Sequence, residues 1–563
     1  MTTTARRERA DLDAAQRGVP LSELLATAAG RELVSGRLDG AQRQQVLDTL
    51  IEVIGGAYAH LPAKRAAYAI DPVQALVLLR RRAGELSDAD FHLAVTHLVI
   101  GLRDAHTRYI GPSSLRGRVA ALPFMVEQYG PSSQPGFLVT KVAADVARRD
   151  PAFVPGVRLT WWNGIPFGHA VDLYADRETG GRPDARRARA LESFTFRALD
   201  YGPPPDEYWV ILGYRTRRGA HRELRLPWRV LEPGVAADAV DPATDPAAGR
   251  RMAVDPAAEA VRRAKKLLFA PRLWAADAHP DPAERAVPAG AAIETPMQDF
   301  LAARVVRARR HRLGYLRIWS FGVRHVDAFL DEVGRLLDLL PRGGLIVDLR
   351  GNPGGLVWAA ERLLQLFTDN PVVPARFSLL ASPLTREMAR SDLNQAEFAA
   401  WRHSLDDAVA TGELWAQPRP LTPPEWCNDL GRRYPGPAVA VVDPNTYSAG
   451  DLFAAGWVDN DLGPLVTVGH ATGAGGANVW TARQMQEALD GTEHQLRPLP
   501  AGTSFTVAIR RAIRSGRGDG IPLEDLGVTG TPATTYQMTE RDLLSGNHDL
   551  LAFCADVLQQ WEH

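Results

Sequence analysis

The stretch GGLIVDLRGNPGGLVW, Gly343 to Trp358, decides how this chain folds. The apolar run LIVDL reads as a buried strand. The glycines and proline between Gly351 and Gly355 end it before a segment of helical spacing that starts near Leu356. From Leu313 onward strand-like runs (LGYLRIWSF, AVAVVD, PLVTVG) alternate with helical ones (VDAFLDEVGRLLDLL, LVWAAERLLQLF, AGDLFAAGWVDN). That alternation predicts an α/β layer structure with a largely parallel sheet over residues 301–563.

The pattern changes on moving toward the N-terminus. Residues 1–120 read as a helical domain, with apolar residues at helical spacing in LDTLIEVIGGAY and DFHLAVTHLVIGL and with Ser87 placed to cap a helix. It exits through Asp104-Ala105-His106-Thr107, and Pro112 stops any helix there. Residues 121–230 hold short β-like runs (FLVTKV, VRLTWWNG, YWVILGY) between Gly, Pro and Asn turns, the signature of a small β-rich module. Residues 231–300 are rich in Ala, Pro, Asp and Arg, as in DPATDPAAGRRMAVDPAAEA, and read as a partly helical connector or insertion.

At 563 residues the chain exceeds what one hydrophobic core organises. Lys plus Arg number 65 against 66 Asp plus Glu, so no charge excess points to nucleic acid or an anionic membrane. Cys427 and Cys554 lack metal-ligand spacing and are too few for a disulfide framework. No apolar leader or run of spanning length occurs, and the expected location is the cytoplasm.

In an open α/β sheet the functional crevice lies beyond the carboxyl ends of the strands, which draws attention to two turns. In GNPGG, glycines let bare backbone N–H groups approach a ligand, and a following helix N-terminus adds positive dipole. In NTYSAGDLF, residues 445–453, Ser448 stands between a strand and an apolar helix. It is placed either to cap that helix or to expose a nucleophilic hydroxyl. A serine nucleophile needs a base, and His106 and His470 are candidates. Neither a metal-ligand spacing nor a cofactor motif is present, so no metal or cofactor is expected.

Together GYLRIWSF (314–321), DLRGNPGG (348–355), NTYSAGDLF, VGHATGAGG (468–476) and LEDLGVTGTPATTY (523–536) resemble, in order and spacing, the tail-specific or carboxyl-terminal processing serine protease family. The resemblance implies a ClpP/crotonase-like catalytic core with a helical N-terminal domain and a PDZ-like β-rich module. It leaves the N-terminal arm and the connector unaccounted for. Where one branch of the family places a lysine base, this chain has Ala474. It is instead similar to the tricorn-core branch, which implies Ser448 as nucleophile, His106 as base and Glu524 completing the relay. That branch carries a serine before the histidine, where this chain has Ala105.

The implied activity is serine-type hydrolysis of peptide bonds in peptides or unstructured tails. The oxyanion would be held by the amides of Gly354 or Gly355 and of Ala449. Family behaviour and the large apolar helices raise the expectation of a homo-oligomer. The competing reading is a non-proteolytic protein that binds a peptide or hydrophobic ligand on the same scaffold.

Overall fold

The computed structural model describes residues 12, 14–26, 37–112, 115–200, 204–234, 252–270 and 292–561. Its central sheet has the strand order Ala292–Ile293, Leu301–Ala308, His311–Ile318, Leu345–Asp348, Ala438–Val442, Leu465–Val468 and Thr535–Tyr536. The first three strands pair antiparallel, and from His311–Ile318 onward every pair is parallel.

Strand alternation sorts the side chains of this sheet into two cores. Leu345, Val347, Ala438, Ala440 and Val442 face one core, with Leu336, Leu363, Phe453 and Trp457 from the helices Val326–Leu339, Val357–Leu363 and Ala449–Asp459. Ile346, Val439, Val441 and Val466 face the other, covered by Leu551, Cys554 and Leu558 of the helix His548–Trp561.

The N-terminal helices Gly40–Gly56, Leu61–Tyr68, Pro72–Arg82 and Asp88–Ile100 do not enclose a core of their own. Val46, Leu50, Leu76, Phe91 and Val95 belong to the same apolar cluster as the α/β layer. Ser87 caps the last of these helices, accepting from the Asp90 amide at 3.1 Å. The chain then runs as the strand Arg108–Ile110 along Ser504–Ile513, with Arg108 opposite Thr506. This pairing carries His106 from the helical segment into the α/β layer.

A separate core lies in the β-rich module, where Phe124, Phe137, Phe153, Trp162, Phe167 and Phe194 interlock, several of them edge to face. Its sheet runs His221–Pro227, Trp209–Arg215, Arg158–Trp162, Gly136–Val142, Phe124–Tyr129.

Residues 235–251 and 271–291 of the connector lie outside the described residues, as does most of the N-terminal arm. The described part is a strand, Met252–Val254, and a helix, Pro256–Phe269, capped by the fully buried Asp255. The strand pairs antiparallel with Gly354–Leu356, so the connector docks on the glycine turn. The helix expected near Leu356 follows directly. Gly354–Leu356 is extended, and the helix begins at Val357. No described helix is long and apolar enough to cross a membrane.

Candidate functional site

Ser448 ends the loop after the strand Ala438–Val442 and caps the helix Ala449–Asp459 with φ 64° and ψ −117°. This is a backbone conformation that residues other than glycine rarely occupy. Three bonds over-determine it. The Ser448 amide donates to Asp451 Oδ2 at 2.7 Å, and the same carboxylate accepts from the Ala474 and Gly475 amides at 3.1 and 2.9 Å. Burial pushes the Asp451 carboxyl up to about 6 against these donors.

The glycine turn is tied to the serine turn directly. The Tyr447 amide donates to the Asn352 carbonyl at 2.8 Å. The Asn352 side chain donates to Ile318 O and accepts from the Gly354 amide at 2.9 Å. A side chain at Gly355, where φ is 145°, would place its Cβ 1.9 Å from the Phe321 carbonyl carbon, so only glycine fits there.

His106 is brought to this serine from the far side of the sequence. Its Nε2 lies 2.6 Å from Ser448 Oγ, and both side chains are buried. Thr506 Oγ1 donates to the His106 carbonyl at 2.7 Å, and the Tyr447 ring sits 4.7 Å from the imidazole centroid. Burial pushes His106 down to about 4, with Asp104 and Asp255 opposing, so the imidazole is neutral at pH 7 and able to accept a proton. His470, the other histidine considered, is exposed and takes no part.

Glu524 is near but not on the histidine. Its Oε1 accepts from Lys64 Nζ at 2.8 Å and its Oε2 from the Gly476 amide at 3.1 Å. Its only histidine neighbour within ion-pair range among the described residues is His60, at 3.9 Å. Lys64, fully buried, also donates to Asp525 Oδ1 and the Arg103 carbonyl, and those carboxylates hold its ammonium above the ordinary lysine range against burial.

Closest to the free face of His106 is Asp104, with Oδ1 3.8 Å from Nδ1. Below the site, Asp255 is clamped by Arg189 and Arg108, and Arg189 lies over the Tyr447 ring at 4.5 Å. Burial works to raise Asp255, but the two guanidinium groups win and hold it at about 2.

Two of the amides expected as oxyanion donors have partners in this structure. The Gly354 amide is taken by Asn352. The Asp255 amide donates to Pro353 O, and ladder alternation then makes Ala253 and Gly355 the next hydrogen-bonded pair. The Ala449 amide lies in the first turn of its helix, where no intrahelical acceptor is available to it.

His60, Asp104 and Glu524 bring ligand-type atoms within 4.8 Å of one another. All four carboxylate oxygens there already accept protein donors, and the Lys64 ammonium supplies the positive charge. The donor set therefore does not call for a metal ion.

Residues 312–523 match the family model of Peptidase family S41. The matched range includes Ser448, and His106 and Glu524 fall outside it. Among solved structures, mature CPAF is similar at 17% identity, covering 92% of this chain and 98% of that one with a TM-score of 0.63. Mature CPAF complexed with lactacystin is similar at 17% identity, with 92% and 97% covered and a TM-score of 0.59. A mutant of CPAF gives 16% identity, 92% and 96% coverage and a TM-score of 0.57. At these identities the likeness establishes a shared fold across nearly the whole chain. No curated protein sequence matches.

Proposed function

We propose, from the family S41 peptidase domain that residues 312–523 form, that this serine-type peptidase cuts peptides or unstructured protein tails with Ser448 as nucleophile and His106 as base. The observation that carries this reading is the 2.6 Å contact between Ser448 Oγ and His106 Nε2, with the imidazole kept neutral by burial. His106 takes the hydroxyl proton as Oγ attacks the scissile carbonyl and returns it to the leaving amine. Glu524 completes the relay at one remove, its carboxylate held by Lys64 and the Gly476 amide.

The oxyanion is stabilised by the Ala449 amide and by that of Gly355, which faces the Met252–Val254 strand. Since Ser448 has no exposed surface and Gly355 is paired, a substrate carbonyl enters where that strand gives way. In the β-rich module, a cleft of about 470 Å³ lies beside the strand Gly136–Val142 and the helix Phe167–Ala175, lined by Phe137, Arg158, Phe167, His169 and Arg187. In PDZ-like fashion it would hold an extended segment of the same substrate.

Fluorophosphonate labelling tests the assignment. Label mapped to Ser448 by mass spectrometry, and absent from Ser448→Ala and His106→Ala, is the expected result. Folded protein that stays unlabelled, both intact and after cutting at a protease site engineered into residues 235–251, refutes it.

A further inference from the structure

We propose that Asp104 is the positioning carboxylate of the Ser448–His106 pair, orienting the imidazole through Nδ1 and stabilising the imidazolium that forms when Ser448 loses its proton. This rests on the peptidase reading above. It assigns to Asp104 the direct role that the family pattern gives to Glu524.

Accepting a proton at Nε2 requires the neutral tautomer with hydrogen on Nδ1. Nδ1 is buried and makes no hydrogen bond. The nearest carboxylate oxygen is Asp104 Oδ1, 3.8 Å away, and neither side chain has exposed surface. A rotation of the ring that moves Nδ1 by less than ~1 Å brings the pair to ordinary hydrogen-bond distance.

Asp104 itself is held in place. Its Oδ1 accepts from the His106 amide at 2.7 Å and its Oδ2 from Thr107 Oγ1 at 2.8 Å, so the carboxylate and imidazole share one turn of backbone. Burial works to raise its carboxyl, but its neighbours, the Lys64 ammonium and the His106 amide among them, outweigh burial and leave Asp104 below the ordinary aspartate range. The arrangement also explains why Ala105 is tolerated where the family pattern has a serine. The residue before Ala105 reaches the ring from the same turn.

The other groups facing His106 do not compete for Nδ1. Asp255 is neutralised by Arg189 and Arg108. Tyr447 presents its ring. His60 is itself pushed down to about 3 by burial and is neutral. Glu524 has both oxygens engaged, and no ion pair joins it to His106.

The test uses the full chain in three forms: unsubstituted, Asp104→Asn and Glu524→Gln. The asparagine keeps an acceptor for the His106 amide, removes the charge and turns the oxygen facing Thr107 Oγ1 into an NH2 donor. Histidine-selective NMR, with His106 assigned by His106→Gln, follows the titration and the tautomer. In Asp104→Asn the proton affinity of His106 is expected to fall about tenfold or more, because the charge facing the imidazolium is gone. Its kcat is expected to drop about 10²- to 10⁴-fold with KM little changed. Glu524→Gln is expected to move the His106 titration less than Asp104→Asn does.

A folded Asp104→Asn protein with the His106 titration of the unsubstituted chain overturns the proposal. So does a Glu524→Gln protein in which His106 loses more proton affinity than in Asp104→Asn. If Asp104→Asn fails to fold, Glu524→Gln still decides: a tenfold loss of His106 proton affinity there overturns the proposal, and a smaller change supports it. The titration needs no turnover, so it stands even if the chain proves to hydrolyse nothing, and the two readings fail separately.

Discussion

Replacing Ser448 by glycine should leave the chain more stable than replacing it by alanine, although both remove the same hydroxyl. Both variants lose the 2.6 Å contact with His106, so that loss cancels in the comparison. They differ in the backbone. At φ 64° and ψ −117° an alanine Cβ retains the strain of the native serine, and such a conformation costs of order 1–3 kcal/mol. Glycine relieves it and gives back roughly 0.5–1 kcal/mol through the greater freedom of its unfolded chain. Glycine should therefore exceed alanine by about 0.5–2 kcal/mol. The Asp451 carboxylate, bonded to three amides around the turn, keeps the backbone in place in both. Urea unfolding followed by tryptophan fluorescence reads the difference as a shift in midpoint at constant slope. An alanine variant as stable as the glycine variant, or more so, refutes the strain argument.

Three further outcomes are expected. Burial holds His106 near 4, so it is neutral above that pH and loses its function as base only as pH falls through it. The acid limb of kcat/KM should have its midpoint well below the 6.5 of free histidine, and a limb at 6.5 or above contradicts the assigned base. Asp255 is depressed from 3.8 to about 2, so its contribution is complete above 3.8 and disappears as pH falls through about 2. That contribution is about 2–3 kcal/mol at neutral pH, and Arg189→Met, which leaves Arg108 as its one guanidinium partner, should remove much of it in urea titrations at pH 7 and little at pH 2. Asp451→Asn keeps one acceptor oxygen for three amides. Unsatisfied buried N–H groups cost about 1–3 kcal/mol each, and hydrogen exchange at Ser448, Ala474 and Gly475 should accelerate while distant amides stay protected.

Features set by local pattern are legible in the sequence alone. The apolar runs LIVDL and AVAVVD read as strands, and Ser87 and its helix follow from capping chemistry. Asp451 is legible too, since Ser448-Ala-Gly-Asp451 spells a capping box, but its bonds to Ala474 and Gly475 are not. The short strand Gly354–Leu356 ahead of the helix is not legible, because its partner lies far upstream, in a segment whose composition suggests a linker. Long-range pairing overrides local propensity in this way. Lys64 looks like one more lysine on a surface helix, and only the fold puts it between Glu524 and Asp525. That the N-terminal helices share the apolar cluster of the α/β layer is hidden for a related reason. Amphipathic spacing says which face is buried, not which layer buries it.

His106 and Ser448 stand 342 positions apart, and Lys64 and Glu524 stand 460 apart. During synthesis the histidine leaves the ribosome long before the serine exists, and the strand Ser504–Ile513 that seats His106 comes later still. No nascent fragment shorter than that can assemble the pair. Contacts so distant in sequence close late in folding, after the local helices and hairpins have formed. On the proposed roles of Ser448 and His106, hydrolytic competence is tied to completion of the fold by chain order.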